Sequence, residues 1–164
     1  MNIGIIGYGV VGKAAANTLQ KKYEIVKYDK YQKLDIFENL GDCNFVFIMV
    51  PTPYDCDTNK VDESAVFESL GELANIGYSG IVIIKSTLPP GSCLKYSDKF
   101  DLNIVFNPEF LRESTTPNED FESQETVVIG TSSNLIFKKV KEMFSKVLVS
   151  HAQYYHTSAK EAEM

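Results

Sequence analysis

Asn2-Ile3-Gly4-Ile5-Ile6-Gly7-Tyr8-Gly9-Val10-Val11-Gly12 opens on an apolar run and closes on three glycines spaced Gly-x-Gly-x-x-Gly. A short apolar run with no polar alternation is the pattern of a strand buried on both faces, as in a parallel sheet. From Val10 to about Lys21 the chain reads as a helix, and Ala14, Ala15 and Ala16 let that helix lie close to the sheet. The glycines therefore stand in a strand-to-helix turn. Gly7 permits the tight turn, Gly9 lets the backbone approach a pyrophosphate, and Gly12 allows close helix–strand packing. The helix N-terminus adds unpaired N–H donors and a partial positive charge. The expected ligand is a dinucleotide bound along Gly7, Tyr8, Gly9, Val10, Val11 and Gly12.

Outward from the turn, Glu24–Tyr28 reads as a second strand ended by Asp29. A carboxylate at the end of that strand, near the ~20-residue spacing of dinucleotide folds, accepts bonds from both ribose hydroxyls and repels a 2′-phosphate. NAD is thus favoured over NADP, with Lys30 and Lys33 weakening the preference slightly. The alternative is a tight turn next to an unrelated surface Asp.

Further strands are expected at Asn44–Val50, stopped by Pro51 and Pro53, at Gly80–Lys85, Asn103–Phe106 and Thr126–Ile129, with a short one at Val147–Val149. Helices are expected from Asp62 to about Ile76, from Gly91 to about Lys99, and over Ser133–Lys146. Such alternation implies an α/β fold, a Rossmann-type doubly wound parallel sheet in a single domain. The polar stretch Arg112–Gln124 reads as a long loop. Ser158 and Glu161 have capping-box spacing, so a helix begins near Ser158, one or two turns before the chain stops. The expected organisation is a dinucleotide-binding domain over 1–156 and the start of a longer, truncated helix over 157–164; a frayed natural tail is the alternative.

With 164 residues the chain can bury one full core but not two. Its net charge of −6 argues against a nucleic-acid partner, because phosphate backbones need a basic surface. No apolar run reaches the ~18 residues of a membrane span, and the start carries no signal-peptide pattern, so no membrane partner and a cytoplasmic location are expected. Cys43, Cys56 and Cys93 match no zinc spacing and read as buried or loop thiols in a reducing compartment; no metal site is expected.

Ligands of a doubly wound sheet sit beyond the carboxyl ends of its strands. Three such ends are rich in chemistry: Val50-Pro51-Thr52-Pro53, Lys85-Ser86-Thr87-Leu88-Pro89-Pro90-Gly91, and Asn107-Pro108-Glu109-Phe110-Leu111-Arg112-Glu113. The prolines hold these loops extended and would set the hydroxyls of Thr52 and Thr87 over the crevice. If Pro108 starts a helical turn, Glu109 and Glu113 share a face, and paired carboxylates can carry acid–base chemistry. Arg112 would then bind a substrate phosphate or pair with Glu109. A solvated turn with ordinary charges is the alternative.

These four motifs in this order resemble the UDP-glucose/GDP-mannose dehydrogenase family, in its UDP-glucose 6-dehydrogenase branch. The residues that carry the resemblance are Gly7–Gly12, Thr52-Pro53, Lys85–Pro89 and, most specifically, Asn107–Glu113; Ser158–Met164 is similar to the start of the family's central helix. The resemblance spans the whole chain but about the first two-fifths of a full-length member. It implies oxidation of a sugar C6 alcohol to a carboxylate in two NAD-dependent steps. It implies that Thr87 and Glu113 lie between nicotinamide and substrate and manage a water and a proton. Glu109, Phe110, Leu111, Arg112 and Glu113 would form a substrate loop, partly through its backbone. Val11 and Asp29 would touch the cofactor, as would Thr52, Pro53 and Lys33.

The chain also departs from that family. The family's thioester-forming cysteine lies in its second half, and none of Cys43, Cys56 or Cys93 matches its motif. The lysine and asparagine that assist it come from the central helix, and this chain stops about two positions before that lysine. Between Asp29 and Asn44 the family's insertion is short here, which makes Lys33 an uncertain match, and Tyr54 stands where relatives often carry Thr. The expectation is an NAD-binding domain of a UDP-glucose 6-dehydrogenase-like enzyme, inactive alone and monomeric, with a UDP-sugar substrate and a homodimer for a full-length relative. An apolar face near Tyr154, Tyr155 and Ala159 would be left exposed. The alternatives are a stand-alone, non-catalytic NAD-binding module and a Rossmann dehydrogenase of another substrate class.

Overall fold

The computed structural model describes residues 1–112 and 114–164. Its sheet grows from the opening strand, β1 (Asn2–Ile6), which lies between β2 (Glu24–Tyr28) and β3 (Phe45–Ile48), both parallel to it. Parallel pairing continues to β6 (Ile81–Ile84) and β7 (Asn103–Phe106) after the intervening hairpin of β4 (Tyr54–Asp55) and β5 (Lys60–Val61). Two more strands, β8 (Thr126–Gly130) and β9 (Gln153–Thr157), complete a sheet of order β2-β1-β3-β6-β7-β8-β9. The chain steps from β1 to β2 on one side and then to β3 on the other. That reversal opens a crevice beyond the carboxyl ends of β1 and β3.

Helices cover both faces, and the strands' two-residue period divides the core between them. Ile3, Ile5, Phe47, Ile83 and Val105 face α1 (Val10–Leu19) and α5 (Asn134–Ser145), where Ala14, Ala15, Ala16, Leu19, Val140 and Phe144 are buried. Val46, Ile48, Val82, Ile84 and Phe106 face α2 (Ser64–Asn75) and α3 (Ser92–Phe100) through Val66, Leu70, Leu73 and Tyr96. The small α1 side chains bring that helix against the strands, as the alanine run predicts.

Several expectations need correction. The expected Rossmann-type α/β sheet forms and is mostly parallel, but one joint departs: β8 meets β7 antiparallel, with Phe106 opposite Gly130, and β9 runs parallel to β8. Val147–Val149 is not a strand. Leu148 is buried against the α5 core, and the chain turns there before the Gln153 N–H meets the Glu125 carbonyl at 2.7 Å and sets the β9 register. The stretch read as a loop over Arg112–Gln124 contains α4 (Pro117–Glu122), too short to show a helical period but pinned by the fully buried Phe121. Asn17 of α1 and Lys21 just past its end bond to Asn118 and Glu122 of α4. No helical turn starts at Pro108; residues 107–112 are irregular.

At the far end the capping box forms as its spacing predicts. Ser158 accepts from the Glu161 N–H, and the Glu161 carboxylate accepts from the Ser158 N–H, opening α6 (Ala159–Ala162). The expected apolar face there is partly covered: Ala159 and Ala162 pack on the α2–α3 core, Tyr154 on the α5 core, and Tyr155 is half exposed. No helix among the described residues is long and apolar enough to cross a membrane.

Candidate functional site

A cleft of about 530 Å³ opens at the switch point. Gly7, Gly9, Val10, Val11, Asp29, Thr52, Thr87, Glu109 and Leu111 line it together with Tyr31, Met49, Val50, Pro51, Lys85 and Ser86. Its size suits a small organic ligand, whose sites run from ~300 to ~1,000 Å³.

One wall is main chain. Gly7 has φ +92°, and a Cβ there would stand 2.4 Å from the Met49 carbonyl oxygen. A Cβ on Gly12 would stand 2.0 Å from the Gly7 carbonyl oxygen, so both positions are closed to side chains. Gly9 differs: nothing lies within 4 Å of where its Cβ would be, and the space in front of it belongs to the cleft. The first turn of α1 has neither a side-chain cap nor an acidic residue. Its N–H groups are left for an anion, which the helix dipole also favours.

Asp29 closes this wall. Its Oδ2 accepts from the Tyr8 N–H at 2.8 Å and its Oδ1 from the Tyr31 N–H at 3.0 Å. A carboxylate has about four acceptor positions, so two remain for ligand hydroxyls. Tyr8 lies behind the turn, its carbonyl bonded by Gln32 and its ring 5.5 Å from the Lys27 ammonium. Lys33 is exposed and does not appear among the cleft residues, while Lys30 is held 2.6 Å from Glu68.

The opposite wall is built from side chains. Lys85 ends β6 with its side chain 1% exposed. Its ammonium donates to Asn107 Oδ1 at 2.8 Å and to the Pro108 carbonyl at 3.4 Å. Glu109 Oε2 stands 3.0 Å from the same nitrogen as its ion-pair partner. Burial lowers the Lys85 pKa, and the Glu109 charge opposes that fall. Glu109 Oε1 accepts from the N–H groups of Phe110 and Leu111 at 2.8 and 3.1 Å, folding the segment around its own carboxylate. Ser86 ties the ends of two strands, accepting from the Val50 N–H at 2.9 Å and donating to the Val50 carbonyl at 2.7 Å. Thr87 follows it, exposed to the cleft.

The cleft therefore gathers the glycine turn, Asp29, Thr52, Thr87, Glu109 and Leu111, as their positions at strand ends predict. Pro53 is exposed at the start of the β4–β5 hairpin, and Phe110 points to solvent. Arg112 does not pair with Glu109: its guanidinium grips Asp120 of α4 at 2.7 and 3.0 Å, which holds that carboxyl well below the usual range. Glu109 is partnered by an ammonium, so its half of the proposed carboxylate pair is a lysine–carboxylate pair; Glu113 lies outside the described residues. The sequence named Lys85 and Ser86 only within their motif, without these roles, and did not single out Asp120. A lysine closing the apolar run Ile81-Val82-Ile83-Ile84 was the available signal, since a charge at the end of a buried strand must find partners. Cys43 and Cys93 are buried, and burial raises both thiols, Cys43 to about 11; Cys56 is exposed in the turn of the hairpin. No cluster of three or more His, Cys, Asp or Glu able to hold a metal occurs among the described residues.

An uncapped helix N-terminus, a glycine gap and a carboxylate with acceptor positions to spare around one crevice define a dinucleotide-binding α/β domain. Residues 30–148 match the NAD binding domain of the UDP-glucose/GDP-mannose dehydrogenase family, and the chain belongs to that family. The match begins just after the glycine turn and Asp29, so those residues support it independently. The chain is 32% identical over 131 residues to UDP-glucose 6-dehydrogenase of Campylobacter jejuni, covering 79% of this chain and 33% of that protein. Its fold is similar to UDP-D-ManNAc dehydrogenase of Pyrococcus horikoshii, with a TM-score of 0.87 at 20% identity, over 99% of this chain and 48% of that one. A ternary complex of GDP-mannose dehydrogenase from Pseudomonas aeruginosa gives a TM-score of 0.82 at 22% identity, over 100% of this chain and 48% of that one. The chain thus spans between a third and a half of the length of these relatives.

Proposed function

We propose that this chain supplies the NAD site of a UDP-glucose 6-dehydrogenase-like enzyme, oxidising a sugar C6 alcohol to the carboxylate with two NAD. The observation that carries the reading is the free first turn of α1 facing the open space at Gly9, with Asp29 beside it. Bound NAD would supply the hydride acceptor. The α1 N–H groups and the Val10-Val11 backbone would hold the pyrophosphate. Asp29 would take the adenosine ribose hydroxyls and reject a 2′-phosphate. Thr52, Pro53 and Lys33 are also assigned to the cofactor; Thr52 lines the cleft, while Pro53 and Lys33 stand outside its lining.

Thr87 is proposed to face the nicotinamide and, with Glu113, to orient a water and move a proton. The Glu109–Glu113 segment, with Phe110, Leu111 and Arg112, is proposed as the substrate loop. Its preformed turn at Glu109 favours recognition through backbone groups, and the Arg112–Asp120 pair ties its base to α4. Thioester chemistry needs an accessible thiolate. Two of the three cysteines are buried with raised pKa, and the third sits on the hairpin, which supports a chain that binds NAD without oxidising UDP-glucose unaided.

Calorimetric titration with NAD and NADP, paired with absorbance of NADH in the presence of UDP-glucose, tests this. NAD binding stronger than NADP binding, without NADH formation, is expected. Equal affinity for the two cofactors removes the Asp29 argument, and steady NADH production removes the claim of an inactive chain.

A further inference from the structure

Helix α3 begins at Gly91, in a left-handed conformation with φ +97° and no side-chain cap from its own segment. The Ser92 N–H bonds locally to the Pro89 carbonyl, while the N–H groups on either side of it are satisfied from the other end of the chain. One oxygen of Glu163 accepts from the Gly91 N–H, and the other accepts from the Cys93 N–H at 2.7 Å. Glu163 follows α6, which is itself fixed by the Ser158–Glu161 cap and by the close approach of Ala159 and Ala162 to Gly130. The carboxylate is therefore presented from a packed element rather than from a free side chain on the surface.

Gly91 also ends the segment that carries Thr87. Between them lie Leu88, 2% exposed in the α2–α3 core, and Pro89-Pro90, whose rings fix two φ angles. On the other side of Thr87, Ser86 is bonded to Val50 at the end of β3. Thr87 thus hangs between two anchors, one made by Ser86 and the other by Glu163, with little slack in the chain.

We propose that Glu163 is a positioning residue for Thr87: by clamping the start of α3 it sets where the Thr87 hydroxyl stands in the cleft, and so tunes the nicotinamide half of the site without touching it. This inference rests on the reading of the cleft as an NAD site with Thr87 at its nicotinamide end. The adenosine half, built on Asp29 and the α1 N-terminus, shares no hydrogen bond with this clamp among the described residues.

The test compares NAD with ADP-ribose, which lacks the nicotinamide, as ligands of the 164-residue chain. Glu163→Ala is expected to weaken NAD about 5- to 10-fold, the scale of one neutral hydrogen bond from a displaced Thr87 hydroxyl, and to leave ADP-ribose within about 2-fold. Glu163→Gln, which keeps one acceptor oxygen, is expected to recover part of the loss, and it carries the same comparison if the alanine variant does not fold. Equal weakening of both ligands, or of neither, overturns the positioning role. Failure of the unsubstituted chain to bind either ligand overturns the NAD reading instead.

Discussion

Asp29 and Glu109 face the same cleft and each grips two backbone N–H groups, yet they are built for different ends. Asp29 spreads its two bonds over both oxygens and has no ion-pair partner among the described residues. Glu109 puts both N–H bonds on one oxygen and turns the other toward the buried Lys85 ammonium. The first keeps acceptor positions open to a ligand; the second spends them on the shape of its own loop. One wall of the cleft is therefore main chain awaiting an anion, and the other is a side-chain network already closed.

The largest expected effect strikes the closed wall. Lys85→Met leaves Glu109, with 16% side-chain exposure, and Asn107 Oδ1 without their cation, and breaking such a buried pair costs about 3–5 kcal/mol. Urea unfolding measures it; a loss below ~1 kcal/mol would mean the two walls differ less than the geometry says. On the main-chain wall the contrast is between two glycines. Gly12→Ala drives a Cβ into the Gly7 carbonyl and is expected to cost about 1–3 kcal/mol, whereas Gly9→Ala has open space and should leave stability within ~0.5 kcal/mol while weakening NAD. Thermal melts and cofactor titration of the pair separate a packing glycine from a ligand-facing one. Asp29→Ala should weaken NAD about tenfold or more and narrow its margin over NADP, the scale of losing hydrogen bonds to a charged group.

The smallest effect lies far from the cleft. Hydrogen bonds from Thr157 and Ser158 pull Glu161 from an ordinary 4.5 to about 2. A carboxyl depressed by folding adds stability that is complete above 4.5 and fades as pH falls toward 2. Protection of the Ser158–Glu163 amides from hydrogen exchange, taken relative to the intrinsic rate at each pH, should fall as pH drops through that window, and Glu161→Gln should flatten the fall. An unchanged profile in the variant would leave the capping box without a pH-sensitive part.

The glycine wall was legible because its constraints are local. A turn that must pass over Met49 and under α1 admits no Cβ at Gly7 or Gly12, and that demand is written within six residues. The capping box at Ser158 was legible for the same reason. The other wall was not, because its partners are remote: Lys85 finds Asn107 and Glu109, Arg112 finds Asp120 rather than Glu109, and Glu163 reaches back to Gly91. Spacing suggested that a helical turn from Pro108 would set Glu109 and Glu113 on one face, but residues 107–112 are irregular and Glu109 lies beside the buried Lys85 ammonium; Glu113 lies outside the described residues.

By itself the sequence determined the strand–turn–helix that begins the fold, the acid at the end of β2, and the motif order that marks the family. These follow from short-range rules of backbone sterics and period. Tertiary structure decided the direction of β8, the docking of α4 by Phe121, the place of β9, and the electrostatic partner of each crevice charge. Each of those depends on which surfaces meet after the chain has folded back on itself. A buried charge takes the nearest opposite charge in space, whatever its distance along the chain.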